Sequence, residues 1–275
     1  MKFKLQSYAI LAAGALLLSA CYKKFDAASY APALSIGGYS SSNAIAPGNL
    51  VAYWGFEGSL TDSISKTTGE ASGTSFTAGI KGSALKGADQ SYALFTPGTS
   101  ITSLKAFTVT MWVNNPQNTK GIVGLFTISN TKSFWGNLDI FFENGSTDTK
   151  AVLKIHASNN NKDAWLGNYE VMNIWNKWAS IAVSYNGADT FKVYVNGSKI
   201  DTKVITGYGQ LQFTNPGKIV FGTSQFQTVP SLTSASTAQD WASYLTGALD
   251  EVRIYNKALE ENDISALVKL EGRGK

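Results

Sequence analysis

The side chains of this sequence that could carry acid–base chemistry are few, and most fall in strand-like stretches. Between residues 138 and 143, the period-two alternation of a strand places Asp139, Phe141 and Glu143 on one face. Two carboxylates can cleave a glycosidic bond, but a retaining mechanism needs them about 5 Å apart. His156, the only histidine, alternates with apolar residues, so we expect a solvated or hydrogen-bonded strand residue rather than a catalyst.

Cysteine and histidine usage argues against several further chemistries. Cys21 is the only cysteine, so the chain can form neither an internal disulfide nor a cysteine-based zinc site. A serine or cysteine nucleophile would need a base, and a single histidine also argues against a histidine-based transition-metal site. We therefore predict that the protein is not an enzyme and has no catalytic residue.

Three carboxylates are candidates for one structural calcium site. Strand alternation near the C-terminus places Asp250 on the same face as Val252 and Ile254, and a desolvated carboxylate needs hydrogen bonds or a metal. Calcium suits a chain rich in Asp, Asn and carbonyl-bearing loops. Asp250 is the first candidate ligand, with Asp62 and Glu57 next. The open alternative is an Asp250 that accepts hydrogen bonds from loop N–H groups near the first strand.

The elements that must position these residues are predicted to be short strands. Residues 50–57 form the first clear strand, residues 210–213 are a weaker candidate, and Gly-rich and Asn-Gly turns separate the others. Residues 260–268 follow the last strand and carry apolar side chains at helical spacing, which predicts a short docking helix. About a dozen strands and one helix predict an all-β, two-sheet antiparallel jelly-roll sandwich over residues 48–275.

The N-terminal part of the chain has the features of a processing and tethering segment. Lys2 and Lys4 precede an apolar run, residues 8–18, that is too short to span a bilayer comfortably. Residues 21–47 lack periodicity and are predicted to be a flexible tether, with an additional edge strand as the alternative. Without residues 1–20 the chain has 21 basic and 19 acidic residues, too close to neutrality to predict nucleic-acid binding.

The apolar run ends in a Leu-Ser-Ala-Cys sequence at Cys21. This sequence resembles the lipobox of bacterial lipoproteins. Together with the tether that follows, it is similar to surface lipoproteins of the Bacteroidetes type. The resemblance implies a signal peptide over residues 1–20, a lipid on Cys21 and a lipid-anchored location at the cell outer membrane, facing either the cell surface or the periplasm. An ordinary secretory signal is the alternative.

Five of the predicted strand segments form an ordered set. They are residues 50–58, 107–113, 178–185, 192–197 and 247–255, and the last two contain Tyr-Val-Asn-Gly and Leu-Asp-Glu-Val-Arg-Ile-Tyr. In this order they resemble the laminin-G-like, concanavalin A-like jelly-roll family over residues 48–270. The resemblance implies a sandwich domain that binds carbohydrate or another extracellular ligand.

The enzymes of that family have motifs that this chain matches only in part. The laminarinase-like pattern Glu-x-Asp-x-x-Glu meets Asn137 at the nucleophile position, and Glu143 lies one residue too far along. The alginate-lyase strand is echoed by Lys154-Ile155-His156, but its tyrosine-bearing partner strand is absent from the sequence. Both departures agree with the prediction that the protein is not an enzyme.

We predict binding of a polysaccharide or glycoconjugate, because sugar sites combine aromatic faces with a few polar side chains. The candidate ligand-binding residues are Trp112, Tyr194, Asp139, Phe141, Glu143, Trp135, Trp165 and Trp241. The last three fall in loop-like contexts, where the alternative is that they cap the core. The alternative functions are a structural or adhesive module with a protein partner and, with less support, a glycan-active enzyme.

Overall fold

The computed structural model describes residues 35–275; the predicted signal peptide and Cys21 lie outside this range. The strands in chain order are β1 Leu50–Trp54, β2 Glu70–Ser72, β3 Ser75–Ala78, β4 Ser83–Lys86, β5 Tyr92–Phe95, β6 Phe107–Asn114, β7 Ile122–Asn130, β8 Leu138–Glu143, β9 Lys150–Asn159, β10 Lys162–Met172, β11 Ala179–Tyr185, β12 Thr190–Val195, β13 Ser198–Val204, β14 Pro216–Phe221, β15 Ala242–Ser243 and β16 Ala248–Tyr255. The helices are α1 Thr99–Thr102 and α2 Glu261–Glu271, and 3₁₀ turns cover Ser42–Ala44, Pro47–Asn49 and Gln225–Gln227. No helix in this range is long and apolar enough to cross a membrane.

The strands form two sheets of eight, which confirms the predicted sandwich. The back sheet has the order β13-β12-β11-β6-β16-β4-β3, and β1 pairs with β16. The front sheet has the order β10-β9-β8-β7-β14-β5-β2, and β15 adds a short parallel pairing to β7. All other pairings are antiparallel. The predicted strand at residues 210–213 is an extended loop instead.

The core between the sheets follows the alternation of the strands. On β6, Phe107, Val109, Met111 and Val113 point inward, as the sequence predicted. Aromatic rings fill the centre, where Trp54 meets Phe95 and Phe221 edge to face with ring centroids 4.9 and 5.0 Å apart. Edge-to-face contact is a favoured geometry for such rings. Each sheet therefore has one inner face that forms the core and one outer face that points away from it.

Residues 35–49 are part of the folded unit and pack with α2. Ile45 is buried in the same apolar cluster as Ile264 and Leu267 of α2. The Tyr39 hydroxyl donates to Asp263 over 2.8 Å, and the Ser42 hydroxyl donates to the carbonyl of Lys275 over 2.7 Å. The predicted tether over residues 21–47 is thus corrected from residue 35 on, because this segment has a complementary apolar partner that its aperiodic sequence does not reveal.

A β-bulge in β16 changes the face predicted for Asp250. Between the paired residues Asp250–Trp112 and Arg253–Thr110, β16 has one residue more than β6. Such an insertion reverses the alternation on the bulged strand. Val252 still points into the core, whereas Asp250 lies on the outer face with Trp112. The prediction that Asp250 shares the apolar face of the strand is wrong for this reason.

Candidate ligand-binding cleft

The outer face of the back sheet is covered by α2, and two predicted ligand-binding residues lie beneath it. Tyr194 of β12 is 1% exposed and packs in the α2 cluster with Leu267. Trp112 of β6 is 7% exposed and donates its Nε1–H to Glu271 Oε2 over 2.8 Å. Both rings are closed to a ligand. This placement contradicts the predicted sugar platform at Trp112 and Tyr194, because the apolar stripe of α2 covers the face that carries them.

A buried ion-pair network fastens α2 to the back sheet. Arg253 donates from Nε to Glu271 over 2.8 Å and from an Nη to Glu251 over 2.7 Å. The same guanidinium donates to Ser42 and Asn43 of the N-terminal segment. Burial raises the pKa of Glu271, and Arg253 only partly offsets that effect. With these charges paired and enclosed, the network is structural.

The outer face of the front sheet carries a group of six aromatic side chains, here called the front aromatic cluster. Its members are Phe134, Trp135, Phe141, Trp165, Phe226 and Trp241. Trp135 stacks on Phe141 with centroids 5.3 Å apart and meets Trp165 edge to face at 5.2 Å. Trp165 and Trp241 are each 39% exposed, whereas Phe141 is buried. The cluster therefore has a closed base and an open rim.

A cleft of about 170 Å³ lies beside this cluster. Its lining residues are Ser133, Phe134, Trp135, Gly136, His156, Ser158, Asn161 and Asp163. The volume is below the roughly 300 Å³ of a drug-sized ligand site, so it suits one ring or a chain end. An aromatic wall faces hydroxyl, amide and carboxylate groups, which is the mixture that the sequence predicted for a sugar site.

The polar side of the cleft is built from three adjacent strands. Asp139 of β8 accepts from Thr127 over 2.9 Å and lies 3.0 Å from His156 Nδ1 of β9. His156 Nε2 lies 3.2 Å from Asp163 Oδ1 of β10. Burial of His156 opposes its protonation, but Asp139 and then Asp163 outweigh burial, so the pKa of His156 is raised. His156 is thus a buried, hydrogen-bonded strand residue, one of the two states expected for it.

Glu143 lies at the far end of the same strand face and has a separate partner. Its Oε2 is 2.9 Å from Lys154 Nζ, and that ammonium lies 5.3 Å from the ring centroid of Trp165. Asp139 and Glu143 are four residues apart on one strand, or about 13 Å. That distance exceeds the roughly 5 to 9.5 Å that glycosidase carboxylate pairs require. Glu143 therefore supports the aromatic rim and does not form a catalytic pair with Asp139.

Gln225 holds the loop that carries Phe134 and Trp135. Its buried Nε2 donates to the carbonyls of Ser133 and Phe134 over 2.7 and 3.0 Å, and its Oε1 accepts from Asn130 N–H over 2.6 Å. A buried amide whose oxygen and nitrogen are both hydrogen-bonded fixes a loop, because any displacement would leave buried polar groups without partners. The loop position is therefore set by a residue about ninety positions away in sequence.

The predicted calcium ligands accept backbone hydrogen bonds. Asp62 accepts from the N–H groups of Tyr53 and Ile64, and its other oxygen accepts from Ser65. Asp250 accepts from the N–H of Lys81, in the turn between β3 and β4, and from the N–H of Glu251 on its own strand.

Glu57 accepts from the N–H of Ser83. Within residues 35–275, no three acidic, His or Cys side chains converge as metal ligands do. Asp62 and Asp250 accept hydrogen bonds from backbone N–H groups, and calcium stays a prediction.

Several residues of the cleft were not singled out from the sequence as ligand contacts. Asp163 and Ser158 lie opposite each other on β10 and β9, and Phe226 reaches the cluster from a loop far along the chain. Trp165 was expected in a loop but belongs to β10. The alternation of Ala164 and Leu166 around Trp165, both buried, is the signal that could have placed it on a strand.

The two antiparallel sheets of eight strands form a jelly-roll sandwich. The family model described as Concanavalin A-like lectin/glucanases superfamily (Laminin_G_3) matches residues 86–265. The chain belongs to this family. Among curated proteins, none matches the sequence significantly.

Two kinds of solved structure share the fold. Domain 4 of AbnA, a GH43 extracellular arabinanase from Geobacillus stearothermophilus in complex with arabinotriose, aligns with a TM-score of 0.57 and 20% identity, covering 80% of this chain and 98% of that one. The binding domain of Paraclostridial Mosquitocidal Protein 1 aligns with a TM-score of 0.61 and 20% identity, covering 80% and 52% of the two chains.

A second toxin structure is similar to the same degree. The ligand binding domain of botulinum neurotoxin serotype D, in complex with N-acetylneuraminic acid, has a TM-score of 0.58 and 14% identity, with 83% and 52% of the chains covered. The present chain spans about half the length of both toxin chains. At these identities the likeness concerns the fold.

Proposed function

We propose that the protein binds a carbohydrate in the cleft beside the front aromatic cluster and does so without catalysis. The observation that carries this proposal is the pairing of the Trp135 wall with the polar groups of His156, Ser158, Asn161 and Asp163 around one cavity. A pyranose or furanose ring has an apolar C–H face and a rim of hydroxyls, so an aromatic plane next to hydrogen-bonding groups complements it.

The absence of a catalytic step is part of the proposal. The Asn137 amide donates to the carbonyls of Ser129 and Thr214 and accepts from the N–H of Thr214, over 2.9 to 3.0 Å. Asp139 lies beneath His156 rather than among the lining residues of the cleft. Asp139 and Asp163 lie on opposite nitrogens of the His156 ring, and only Asp163 reaches the cavity, so the two carboxylates do not face one glycosidic bond.

The test is a glycan array, followed by titration calorimetry with the best ligand, on the purified full chain carrying Cys21→Ser. Trp135→Ala should lower the affinity at least about tenfold, the usual effect of removing a central aromatic contact. Trp165→Ala serves as a second variant, because its ring is partly exposed and its loss should leave the fold intact. Thermal melting of both variants shows whether their fold is intact.

Trp178→Ala is the matched control, since Trp178 is a half-buried tryptophan that lies away from this cleft. The affinity of the Trp178→Ala variant for the glycan should equal that of the parent chain. Prolonged incubation with the bound glycan should release no new reducing ends, and EDTA tests whether calcium contributes. If no glycan is bound with or without EDTA, the carbohydrate proposal fails and the adhesive alternative gains.

We also propose that Cys21 carries a lipid that holds the protein at the outer membrane. The support is the Leu-Ser-Ala-Cys sequence after a short apolar run. A single Cys21→Ser substitution should move the protein from the membrane fraction to the soluble fraction of the cells that produce it. Membrane retention equal to that of the parent would refute the anchor.

A further inference from the structure

A chain of three titratable side chains runs from the front sheet to the solvent at the cleft. Asp139 and His156 are buried, with 3.0 Å between carboxylate and Nδ1. Asp163 follows at 3.2 Å from Nε2, and its side chain is 56% exposed. The last carboxylate is therefore the one that a ligand can reach, and the buried pair lies behind it.

The geometry assigns distinct roles to the two ring nitrogens of His156. The Nδ1–H donates to Asp139, so a second proton would sit on Nε2. Within residues 35–275, Nε2 has no well-aligned hydrogen-bond acceptor, so its contact with Asp163 is one of charge. An imidazolium attracts the Asp163 carboxylate, whereas a neutral ring turns a lone pair toward it and repels it.

The charges around His156 determine which sugars the cleft can accept. Asp139 faces the ring from β8 and Asp163 from β10, while its own strand contributes Lys154, which is paired with Glu143 at 2.9 Å. The loop above it contributes Trp135, which has no charge. Two carboxylates therefore face at most one imidazolium. A carboxylated sugar placed beside Asp163 would meet this excess of negative charge.

We propose that the cleft takes a neutral saccharide, one of whose hydroxyls donates to Asp163, and that His156 is the positioning residue that holds the Asp163 carboxylate in place. This inference rests on the proposed carbohydrate-binding function and adds the ligand class and a dependence on pH. The acceptor is a carboxylate, so its hydrogen bond to a hydroxyl is charge-assisted and among the stronger polar contacts.

The pH dependence follows from the same geometry. Burial disfavours the charged ring, but Asp139 and Asp163 raise the pKa of His156 above its ordinary value. Rising pH removes the imidazolium and with it the force that orients Asp163. The affinity for a neutral saccharide should therefore fall about tenfold from about pH 5.5 to about pH 9, the effect of losing one charge-assisted contact.

The experiment compares immobilised methyl-esterified polygalacturonan with polygalacturonan, which share one backbone and differ in the charge of the C6 carboxyl group, and xylan with a glucuronate-substituted xylan. The full chain carrying Cys21→Ser is applied at both pH values. We expect retention on the neutral member of each pair that binds, with weaker retention at the higher pH. Calorimetry with soluble oligosaccharides of the bound polymer gives the affinities.

Two variants separate positioning from general structural effects. Asp163→Asn should weaken binding of the neutral ligand about tenfold, remove the pH dependence and improve binding of the acidic member. His156→Gln should also remove the pH dependence, whereas a purely structural role would lower affinity equally at both pH values. Asp148→Asn, an exposed acid on the loop between β8 and β9, is the control and should change nothing.

The outcomes are separable. A preference for the acidic member, or affinity that does not change with pH in the parent chain, overturns this inference and leaves carbohydrate binding standing. Unaltered pH dependence in both Asp163→Asn and His156→Gln overturns the role of the two residues. Failure of the parent chain to bind any neutral or acidic glycan on a full array overturns the proposed function and this inference together.

Discussion

The outer faces of the two sheets start from similar materials and end in different states. Each carries aromatic rings next to carboxylates, as in Trp112 with Asp250 on the back and Trp165 with Asp163 on the front. On the back, α2 covers the face, and every charge in the Arg253 network has a partner inside the protein. On the front, loops cover only part of the face and leave a cleft with an exposed carboxylate.

Residue types alone therefore do not identify a binding face. Where an amphipathic helix covers aromatic and acidic residues, they pack against it and stabilise the fold. Where the same residue types stay accessible to water, they form a candidate site. The exposure of the aromatic rings shows this contrast: Tyr194 and Trp112 are buried, whereas Trp165 and Trp241 are exposed. Variants can test it by opening the sealed face or by perturbing the open one.

The largest effect is expected from Arg253→Met on the back face. The change leaves Glu271 buried without its cationic partner and leaves Glu251 with only Lys81, 3.9 Å away, which costs about 3 to 5 kcal/mol in the free energy of unfolding. Urea denaturation measures this loss. Lys218→Met is the control, since Lys218 pairs with an exposed Glu70 and its loss should change stability by no more than about 0.5 kcal/mol. Equal effects in the two variants would contradict the structural role of the back face.

A smaller loss is expected from Leu267→Ala, which thins the apolar contact between α2 and the back sheet. Truncating a fully buried leucine costs about 2 to 5 kcal/mol. Ligand affinity at the front cleft should stay unchanged, because the cleft lies on the other sheet. Denaturation and titration calorimetry on one preparation check both statements. A parallel loss of affinity would show that the two outer faces are coupled.

The smallest effect is a pH-dependent difference between the parent and His156→Gln. Folding raises the pKa of His156 above its unfolded value. Burial lowers this pKa, but the hydrogen bond and charge of Asp139, with the charge of Asp163, outweigh burial. Its ionic contribution to stability is therefore complete below about pH 6.5 and disappears as pH rises through the folded pKa.

Denaturation of both proteins across this range should show the stability gap closing as pH rises. Taking the difference between the two proteins removes the contribution of Asp250, whose pKa burial raises to about 7. A gap that widens with pH would have the wrong sign and would contradict the ion pair on the front face.

Strand alternation predicted the inward and outward faces of β6, and the helical spacing predicted α2, because both signals are local. The bulge in β16 was not predictable from alternation, since one additional residue shifts Asp250 to the outer face without changing the apolar pattern. Trp165 was misplaced for a related reason. On an edge strand such as β10, only two buried residues flank it, and most of the others are exposed.

The front cleft needed the structure: of the predicted ligand-binding residues only Trp135 lines it, and Asp139 and Phe141 lie beneath the groups that do. Its polar side requires β8, β9 and β10 to be neighbours in one register. Its aromatic wall also depends on Gln225 holding a distant loop. Sequence patterns report faces within a strand, whereas this cavity depends on which strands and loops meet across the chain.

The hydrogen bond between Ser42 and the Lys275 carbonyl holds the two ends of the described chain on the same side of the folded unit. The segment that begins the described chain and the segment that ends it both lie on the helix-covered back, while the cleft opens on the front. A unit held through either end would present its cleft away from the support. Immobilisation on a chip through either end would therefore leave the face with the cleft free.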